Sequence, residues 1–555
     1  MNSQESPAKR PISAEIEGRL TLALLVAAVA GIAYLFLQIS MFRYGRDQGI
    51  YATVAESILQ GGMPYRDAWD FKPPGIFAVY ALVRAIFGPS ETSIRVFEIM
   101  GLTSVAVAFV ILSARFFRDW RIGVIGAALG VLVHAELEFW HTAQPESFGG
   151  MLTAWALVLA TFEPESNDAG ARRRQRWAWA LAGACYGMAF LMKPPLGGGA
   201  LVSSAFVTLR VYRKSRTSPT DLSFIHLVWP TLTMAAGSFV PIALCVAWYA
   251  ARGAFGDLYD AIFVFAPHYT KLSWEGASVM GALYLAFEEW FVDLSAPTAA
   301  GVLAALLLPP VSAREREGML HLLAVIAVQL VGVAWQGKFF PYHYGASLVL
   351  GSLVAGLGAY KAWQHALSRG YAAVALVAVT SYLVIQARSA TRDTRTDFLD
   401  RCIARHRQFL GLSEMTREEL DASLYSVADV SYGANRRVAE FLRRELAPTD
   451  FAFIWGFEPI IYDMSERRPA SRYIYNVPQR VAWAKEATRA ILIAELDARP
   501  PRAIVVEHRD VFPVVTGDAF DSADTLKRFP ALAARINDDY ALTTTIEDFD
   551  LYLRR

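Results

Sequence analysis

LTLALLVAAVAGIAYLFLQISMF, residues 20–42, carries no charged side chain, whereas RYGRDQGIYATVAESILQGGMPYRDAWDFKPPGIFAVYALVRAIFG, residues 43–88, is rich in them. A helix needs about 20 apolar residues to cross the hydrocarbon layer of a bilayer, so the first segment is long enough to span it. It is longer than the apolar region of a secretory signal and ends in bulky residues, which makes it an uncleaved span. Lys9, Arg10 and Arg19 precede it and hold the N-terminus in the cytoplasm. The charged stretch then lies outside.

Composition agrees with this reading. Of 555 residues, 54% are hydrophobic and only 19% charged, with mean hydropathy +0.29, which excludes an ordinary soluble enzyme or a disordered chain. A net charge of +1 leaves no basic field to collect nucleic acid. Cys185, Cys245 and Cys402 are too few and too scattered for a disulfide framework and are read as packing residues.

Further low-charge stretches occur near 95–114, 122–139, 147–162, 177–192, 194–209, 226–250, 296–313, 319–336, 344–360 and 371–387, giving about eleven spans. The loops between them alternate in basic content. Arg115/Arg118/Arg121, Arg172/Arg173/Arg174/Arg176, Arg210/Arg213/Lys214/Arg216, Arg314/Arg316 and Lys361/Arg369 all fall on the cytoplasmic side. Glu136, Glu138, Glu146, Asp257, Asp260 and Glu275 fall on the other. The segment 76–87 is too short to cross and contains Arg84, so it is read as a helix lying along the outer interface.

After residue 387 charges become dense and no run is long enough to cross. Helical spacing at 435–446, 486–498 and 522–536 alternates with strand patterns at 451–455, 503–506 and near Tyr540 and Phe549, the signature of a small α/β module. The expected fold is therefore mainly α: a polytopic membrane helical bundle, residues 1–387, with interfacial helices in the first external loop, and a C-terminal soluble α/β domain, residues 388–555, outside the cell membrane.

Chemistry is expected in the first external loop. Asp47 lies between Arg43 and Arg46 on one side and an amphipathic segment, 51–59, on the other. A carboxylate there can take a proton from a hydroxyl, and guanidinium groups match phosphate oxygens. On spacing alone the stronger reading is that Asp47 caps the following helix and Arg43 anchors the membrane boundary. Lys72 precedes two prolines that restrict it to extended backbone. The pattern recurs at Lys193-Pro194-Pro195, and Lys338 in GKFFPYHY shares the same face. Outer lysines at membrane depth, against the cytoplasmic-positive rule, point to an anionic lipid ligand, although snorkelling places lysines there too. Glu146 opens a span from outside, where the helix dipole favours a carboxylate. His134, His141, His268 and His343 are all external on this topology. No pair has a metal-ligand spacing, so they are read as hydrogen-bonding a polar substrate or each other. No cofactor is expected, and a divalent metal lacks support. There is no P-loop, H-E-x-x-H motif or nucleophile elbow.

The order of these elements, an external Asp in D-x-G-x-Y, then G-G-x-P-Y-R-D, then K-P-P-G opening an interfacial helix that ends in F-G, resembles the GT-C superfamily of membrane glycosyltransferases. Bacterial relatives of the protein O-mannosyltransferases and of the lipid A aminoarabinose transferase are the nearest in pattern. The likeness continues through QPESF, FLMKPP and FFPYHY into WGFEPIIY and PASRY of the terminal domain. It implies a transferase that takes a sugar from a polyprenyl phosphate and attaches it to a hydroxyl acceptor at the outer face of the bacterial cytoplasmic membrane. By position, Asp47 is then the catalytic carboxylate, Lys72 contacts the donor phosphate and Glu146 shapes the polar cavity. Arg43, Arg46, Tyr65, Lys193, His268, Lys338 and His343 complete the expected substrate-binding set. Two departures stand out: Gln48 occupies the place where many relatives have a second acidic residue, and Phe71 stands where aminoarabinose-type relatives have Glu, so a metal site using that position is not expected.

The chemistry is consistent with the resemblance. A polyprenyl tail stays in the bilayer, so its phosphosugar must be met at the interface. One carboxylate suffices for a single displacement by an alcohol with phosphate leaving, which predicts inversion, unlike the two-carboxylate retaining glycosidases. The expected partners are a polyprenyl-phosphate-linked sugar donor, a cell-envelope acceptor and the lipid bilayer, with no nucleic acid. Acceptor choice is expected in the outer loop 253–293 and in the terminal domain; of Tyr259, Phe263, Tyr269, Trp274 and Trp290, which can stack on sugar rings, at least half are read as an interfacial belt. A lipid-linked sugar flippase or transporter is the alternative, but transporters place ionisable groups near the bilayer midplane, and here they cluster at loop edges. A scaffold binding envelope partners would leave the first-loop constellation without a role.

Overall fold

The computed structural model describes residues 13–166, 168–216, 224–274, 276–294, 296–371, 373, 398–424 and 432–555. A helix lies at each expected span within these bounds: Ala14–Ser40, Glu91–Phe117, Trp120–Glu136, Pro145–Ala160, Ala169–Met192, Gly199–Arg216, Phe224–Ala251, Ala296–Leu307, Ala313–Gln336 and Gly345–Arg369. The expected span at 371–387 falls almost entirely outside the described residues. Among the described residues, five helices are long and apolar enough to cross a membrane singly: Ala14–Ser40, Glu91–Phe117, Val228–Ala251, Ala313–Gln336 and Pro341–Arg369. A sixth candidate is the pair Val279–Asp293 and Ala296–Leu307, bent by 117° at its break. The segment 279–293 was expected as loop, but Ser278 caps it, accepting the Gly281 N–H at 3.0 Å, and its apolar run continues as helix.

Loop chemistry sorts the helix ends into two groups. At one end Arg210 pairs with Glu163 at 3.0 Å and Glu317 at 2.8 Å, and Lys361 pairs with Glu315 at 2.8 Å, all in loops expected to face the cytoplasm. The loops expected outside meet at the opposite end. Between the two, outward faces are apolar: Leu22, Val26, Phe239 and Leu244 are exposed, as lipid-facing positions must be. Small residues let neighbours close up. A Cβ on Gly183 would lie 2.0 Å from the Met234 carbonyl, so helices Ala169–Met192 and Phe224–Ala251 touch backbone to backbone.

The loop after the first span, expected outside, forms two helices, Arg46–Leu59 and the expected interfacial Gly75–Phe87. The first starts five residues earlier than the amphipathic pattern predicted, and its cap is Gly45, not Asp47: the Gln48 side chain accepts the Gly45 N–H at 2.9 Å.

The terminal domain is a mixed five-stranded sheet in the order β2-β1-β3-β5-β4, with β1 (Phe451–Trp455), β2 (Arg468–Pro469), β3 (Ala503–Glu507), β4 (Tyr540–Ile546) and β5 (Phe549–Arg554). β1 runs parallel to β2 and β3, and β5 is antiparallel to β3 and β4. The α/β expectation holds, with one difference. The predicted helix 522–536 is two, Ser522–Lys527 and Pro530–Asp539, because Pro530 has no N–H to continue the ladder and instead opens the second helix.

This domain sits directly on the loop that follows the first span. Arg84 pairs with Asp463 at 2.8 Å, Arg46 with Glu458 at 2.8 Å, and the Trp69 N–H donates to the Arg472 carbonyl at 2.7 Å. Gly49 faces Ile460 so closely that a Cβ would stand 2.6 Å from the Ile460 Cβ. Gly49→Val should therefore push the domain off its seat, at a cost of roughly 1–3 kcal/mol. Limited trypsin digestion of nanodisc-embedded protein should then cut the terminal domain several times faster than wild type, with helix content unchanged; an unaltered digestion rate would contradict this docking.

Candidate functional site

A cavity of about 1160 Å³ lies where the loops bearing Asp47, Lys72, His141 and Lys338 meet the terminal domain. Its lining includes Asp47 and Lys72, His141 and Lys193, Tyr269, Trp274 and Lys338, and Phe457, Tyr475 and Phe512 of the terminal domain. Its rim includes Val279 and Trp335, 64% and 72% exposed, so it opens beside apolar helix surface.

Local structure explains the placement of each group. Asp47 is in the first turn of its helix, where the dipole favours a carboxylate. Tyr65 has a left-handed backbone, φ 70°, and its hydroxyl donates to the Lys72 carbonyl at 2.7 Å, turning the chain back toward Asp47. The Lys72 ammonium then reaches Asp47 Oδ1 at 2.7 Å and sits 4.9 Å from the Tyr51 ring centre. Gln144 Nε2 approaches Asp47 Oδ2 at 3.3 Å. Burial alone would raise the Asp47 pKa; the Lys72 ammonium, with help from Arg46, outweighs it and holds the carboxyl below its ordinary range. Lys72 mirrors this: burial opposes its charge, but Asp47 and Asp70 raise its pKa overall. Both groups are therefore charged at neutral pH.

His141 is different. Burial, only partly offset by Asp47, pushes it down to about 4, so a neutral imidazole faces the cavity. Lys193 pairs with Glu146 at 2.7 Å, which places Glu146 behind the wall as the lysine's counter-charge. The Lys338 ammonium donates to the Val514 carbonyl and lies 4.1 Å from the Tyr269 ring centre; burial pushes it down to about 8. His343 Nδ1 bonds the Lys338 carbonyl and closes that corner.

The structure brings Arg46, Asp47, Lys72, Lys193, Lys338 and His343 to the cavity and leaves four expected residues off its lining. Arg43 is bound to Glu91 at 3.3 Å and Asp421 at 3.2 Å, so its charge is spent on holding elements together. Tyr65 acts through Lys72, and Glu146 through Lys193. His268 is exposed, stacked on Trp483 with its Nδ1 against the Val264 carbonyl. Arg46 lines the cavity, yet its Nε is tied to Glu458 and its guanidinium lies 4.5 Å from the Phe512 ring centre. His134, expected outside, is buried against Glu98 at 2.9 Å. The loop aromatics divide: Tyr269 and Trp274 line the cavity, Tyr259 and Phe263 are exposed, and Trp290 is buried.

Sequence reasoning missed Asp70, Gln144, Lys271 and Tyr475 as cavity neighbours. Asp70 stands two residues before Lys72 and was the one accessible from spacing. Among the described residues, no three His, Cys, Asp or Glu side chains converge in a way that could hold a metal ion.

Residues 71–238 match the model of a family described as dolichyl-phosphate-mannose-protein mannosyltransferase. No curated protein matches the chain by sequence. Among solved structures, ArnT from Cupriavidus metallidurans bound to undecaprenyl phosphate is similar at 16% identity over 96% of this chain and 97% of its own, with TM-score 0.53. The same protein in its apo state gives 14% identity, the same coverage and TM-score 0.56. The Archaeoglobus fulgidus oligosaccharyltransferase in its apo form matches at 14% over 88% of this chain and 69% of its own, with TM-score 0.42. The chain shares the fold of ArnT from Cupriavidus metallidurans.

Gln48 uses both its amide donors and its carbonyl oxygen to clip this site together: it accepts from Gly45 N–H and donates to the Phe139 and Thr142 carbonyls at 2.9 and 2.6 Å. Gln48→Leu keeps the volume and strands two buried backbone groups, the Gly45 N–H and the Thr142 carbonyl, while the Phe139 carbonyl keeps Arg95. It should cost at least about 2 kcal/mol, read as a lowered Tm in detergent; an unchanged Tm would show that the clip is dispensable.

Proposed function

We propose that this protein is an integral membrane glycosyltransferase that moves a sugar from a polyprenyl-phosphate donor to a hydroxyl acceptor, with inversion, at the outer face of a bacterial cytoplasmic membrane. The observation that carries the reading is the Asp47–Lys72 pair, 2.7 Å apart and 21% and 16% exposed, in the wall of a large cavity whose rim is apolar. A lipid-anchored donor can slide in past Val279 and Trp335 with its tail remaining in the bilayer. The fold shared with an ArnT crystallised with undecaprenyl phosphate supports a donor of this kind.

In this mechanism the acceptor oxygen attacks the anomeric carbon while the bond from that carbon to the phosphate oxygen breaks. The hydroxyl proton passes to Asp47, and polyprenyl phosphate leaves as the anion. Lys72 has two duties. Without donor it holds Asp47 ionised; when the phosphate arrives the ammonium turns toward it, and Asp47 regains basicity at the moment a proton must be accepted. Lys193 and Lys338 add positive potential from the lining, and neutral His141 offers a hydrogen bond without competing for the anion.

Asp47→Asn should lower turnover by roughly 10²–10⁴-fold in a synthetic undecaprenyl-phosphate-sugar assay with envelope extract as acceptor. Binding of bare undecaprenyl phosphate should hold or tighten, because Lys72 is released from its carboxylate. Retained turnover would remove Asp47 from the base role, and a retained anomeric configuration in the product would contradict single displacement.

Lys338, pushed down to about 8, is cationic below that pH and neutral above it. Donor kcat/KM should fall as pH rises through about 8, and Lys338→Arg should move that alkaline limb upward by two or more pH units, since arginine stays charged. An identical limb in the variant would show that Lys338 makes no use of its charge.

A further inference from the structure

Asp70 is the buried group in this cavity that the mechanism leaves without a task. It is 1% exposed and lines the cavity. Its Oδ1 accepts the Tyr475 hydroxyl at 2.6 Å, and its Oδ2 meets no donor among the described residues. The Phe71 N–H lies close to the carboxylate without reaching hydrogen-bond geometry. A buried carboxylate oxygen with no donor is costly, and such atoms in native structures need an explanation. Burial raises the Asp70 pKa, and Lys72 and Tyr475 offset this only in part.

The missing donor must come from whatever fills the cavity. It is not the donor phosphate, which offers acceptor oxygens and would be repelled. Nor is it the attacking hydroxyl, which belongs at Asp47. Asp70 stands within electrostatic reach of both Lys72 and Asp47, the groups that face the phosphate and the attacking oxygen. What lies between those two points in a bound donor is the sugar ring, whose free substituents are hydrogen-bond donors.

We infer that Asp70 is the sugar-recognition residue of this cavity, its Oδ2 accepting a hydrogen bond from a hydroxyl or amino group on the transferred sugar while Tyr475 of the terminal domain fixes the carboxylate. This rests on the transferase reading and deepens it. Recognition of the sugar then lies at the seam between the first external loop and the terminal domain, so the docked domain takes part in choosing the donor.

The test compares wild type with Asp70→Asn for binding of three probes in nanodiscs: undecaprenyl phosphate, undecaprenyl phosphomannose as a neutral sugar, and undecaprenyl phosphoglucosamine as an amino sugar. Asn keeps the shape and the acceptor for Tyr475, and the bare lipid reports on folding and on the phosphate site. The variant should bind the bare lipid as wild type does and lose roughly tenfold to a hundredfold in affinity for a sugar-bearing probe. Loss with both sugars identifies a ring hydroxyl as the donor, and loss confined to glucosamine identifies the ammonium. Unchanged affinity for both sugar lipids, or equal weakening of all three probes, overturns the assignment. If wild type binds none of the three, the transferase reading itself fails, and with it this one.

Discussion

Taking a guanidinium and a carboxylate out of water costs several kcal/mol each unless their hydrogen-bonding groups find partners in the protein. Arg95 and Glu98, both 0% exposed near the start of helix Glu91–Phe117, meet most of that condition by gathering chain from several places. Arg95 donates to Glu98, to Thr142 Oγ1, and to the carbonyls of Arg43 and Phe139; Glu98 accepts from His134 and from the Ala143 N–H. The pair thus fastens the end of the first span, the end of helix Trp120–Glu136 and the loop at 139–143 into one unit. Asp47 and Gln144 follow that unit directly in the chain.

Glu138 and Ala143 in this loop both have left-handed backbone, φ 62° and 53°, a conformation that costs non-glycine residues energy and persists only where surroundings enforce it. Arg401 and Arg405 grip Glu138 from the far side, and the Tyr80 hydroxyl donates to the Ala143 carbonyl at 3.1 Å. The chain emerging from this clamp is Gln144, which accepts the Tyr51 hydroxyl at 2.7 Å and approaches Asp47. Here the departure at position 48 finds its physical sense. The side chain there is turned into the clamp and shares the Phe139 carbonyl with Arg95. A carboxylate in its place would lose both donors and face backbone oxygens.

What the sequence made legible was whatever depends on the bilayer or on local periodicity. Long apolar runs became helices, charge alternation sorted loops to two ends, and that sorting alone put Lys72, Lys193 and Lys338 around one space. Partner choice was illegible. Arg43 and Arg46 are three residues apart with identical chemistry, yet Arg43 is taken by Asp421 and Glu91, and Arg46 by Glu458, residues separated from them by up to 412 positions. Nothing in spacing distinguishes a cation left for a ligand from one used as a rivet. The aromatics of 253–293 show the same limit. The π-helical stretch Asp260–Phe265 resets the helical phase ahead of Ala266–Lys271, and no propensity scale says that Tyr269 then meets the cavity while Phe263 does not.

The terminal domain is the part of the site least expected from helices alone, and it decides how strong the site's electrostatics can be. Without Phe457, Tyr475 and Phe512 the Asp47–Lys72 pair would face open water, where two unit charges at 4 Å interact by about 1 kcal/mol; at the effective dielectric of a protein surface the figure is about 4 kcal/mol. The domain's apolar wall supplies that change of medium. Its anchors to the membrane half are ionic and themselves half-buried or better, Arg84 to Asp463 and Arg46 to Glu458, so the same exclusion of water that strengthens the site strengthens the attachment. Domain docking and the potential at Asp47 are then one property: any motion that admits water between Phe512 and Arg46 weakens the seam and, in the same step, returns Lys72 and Asp47 to solvent-screened charges.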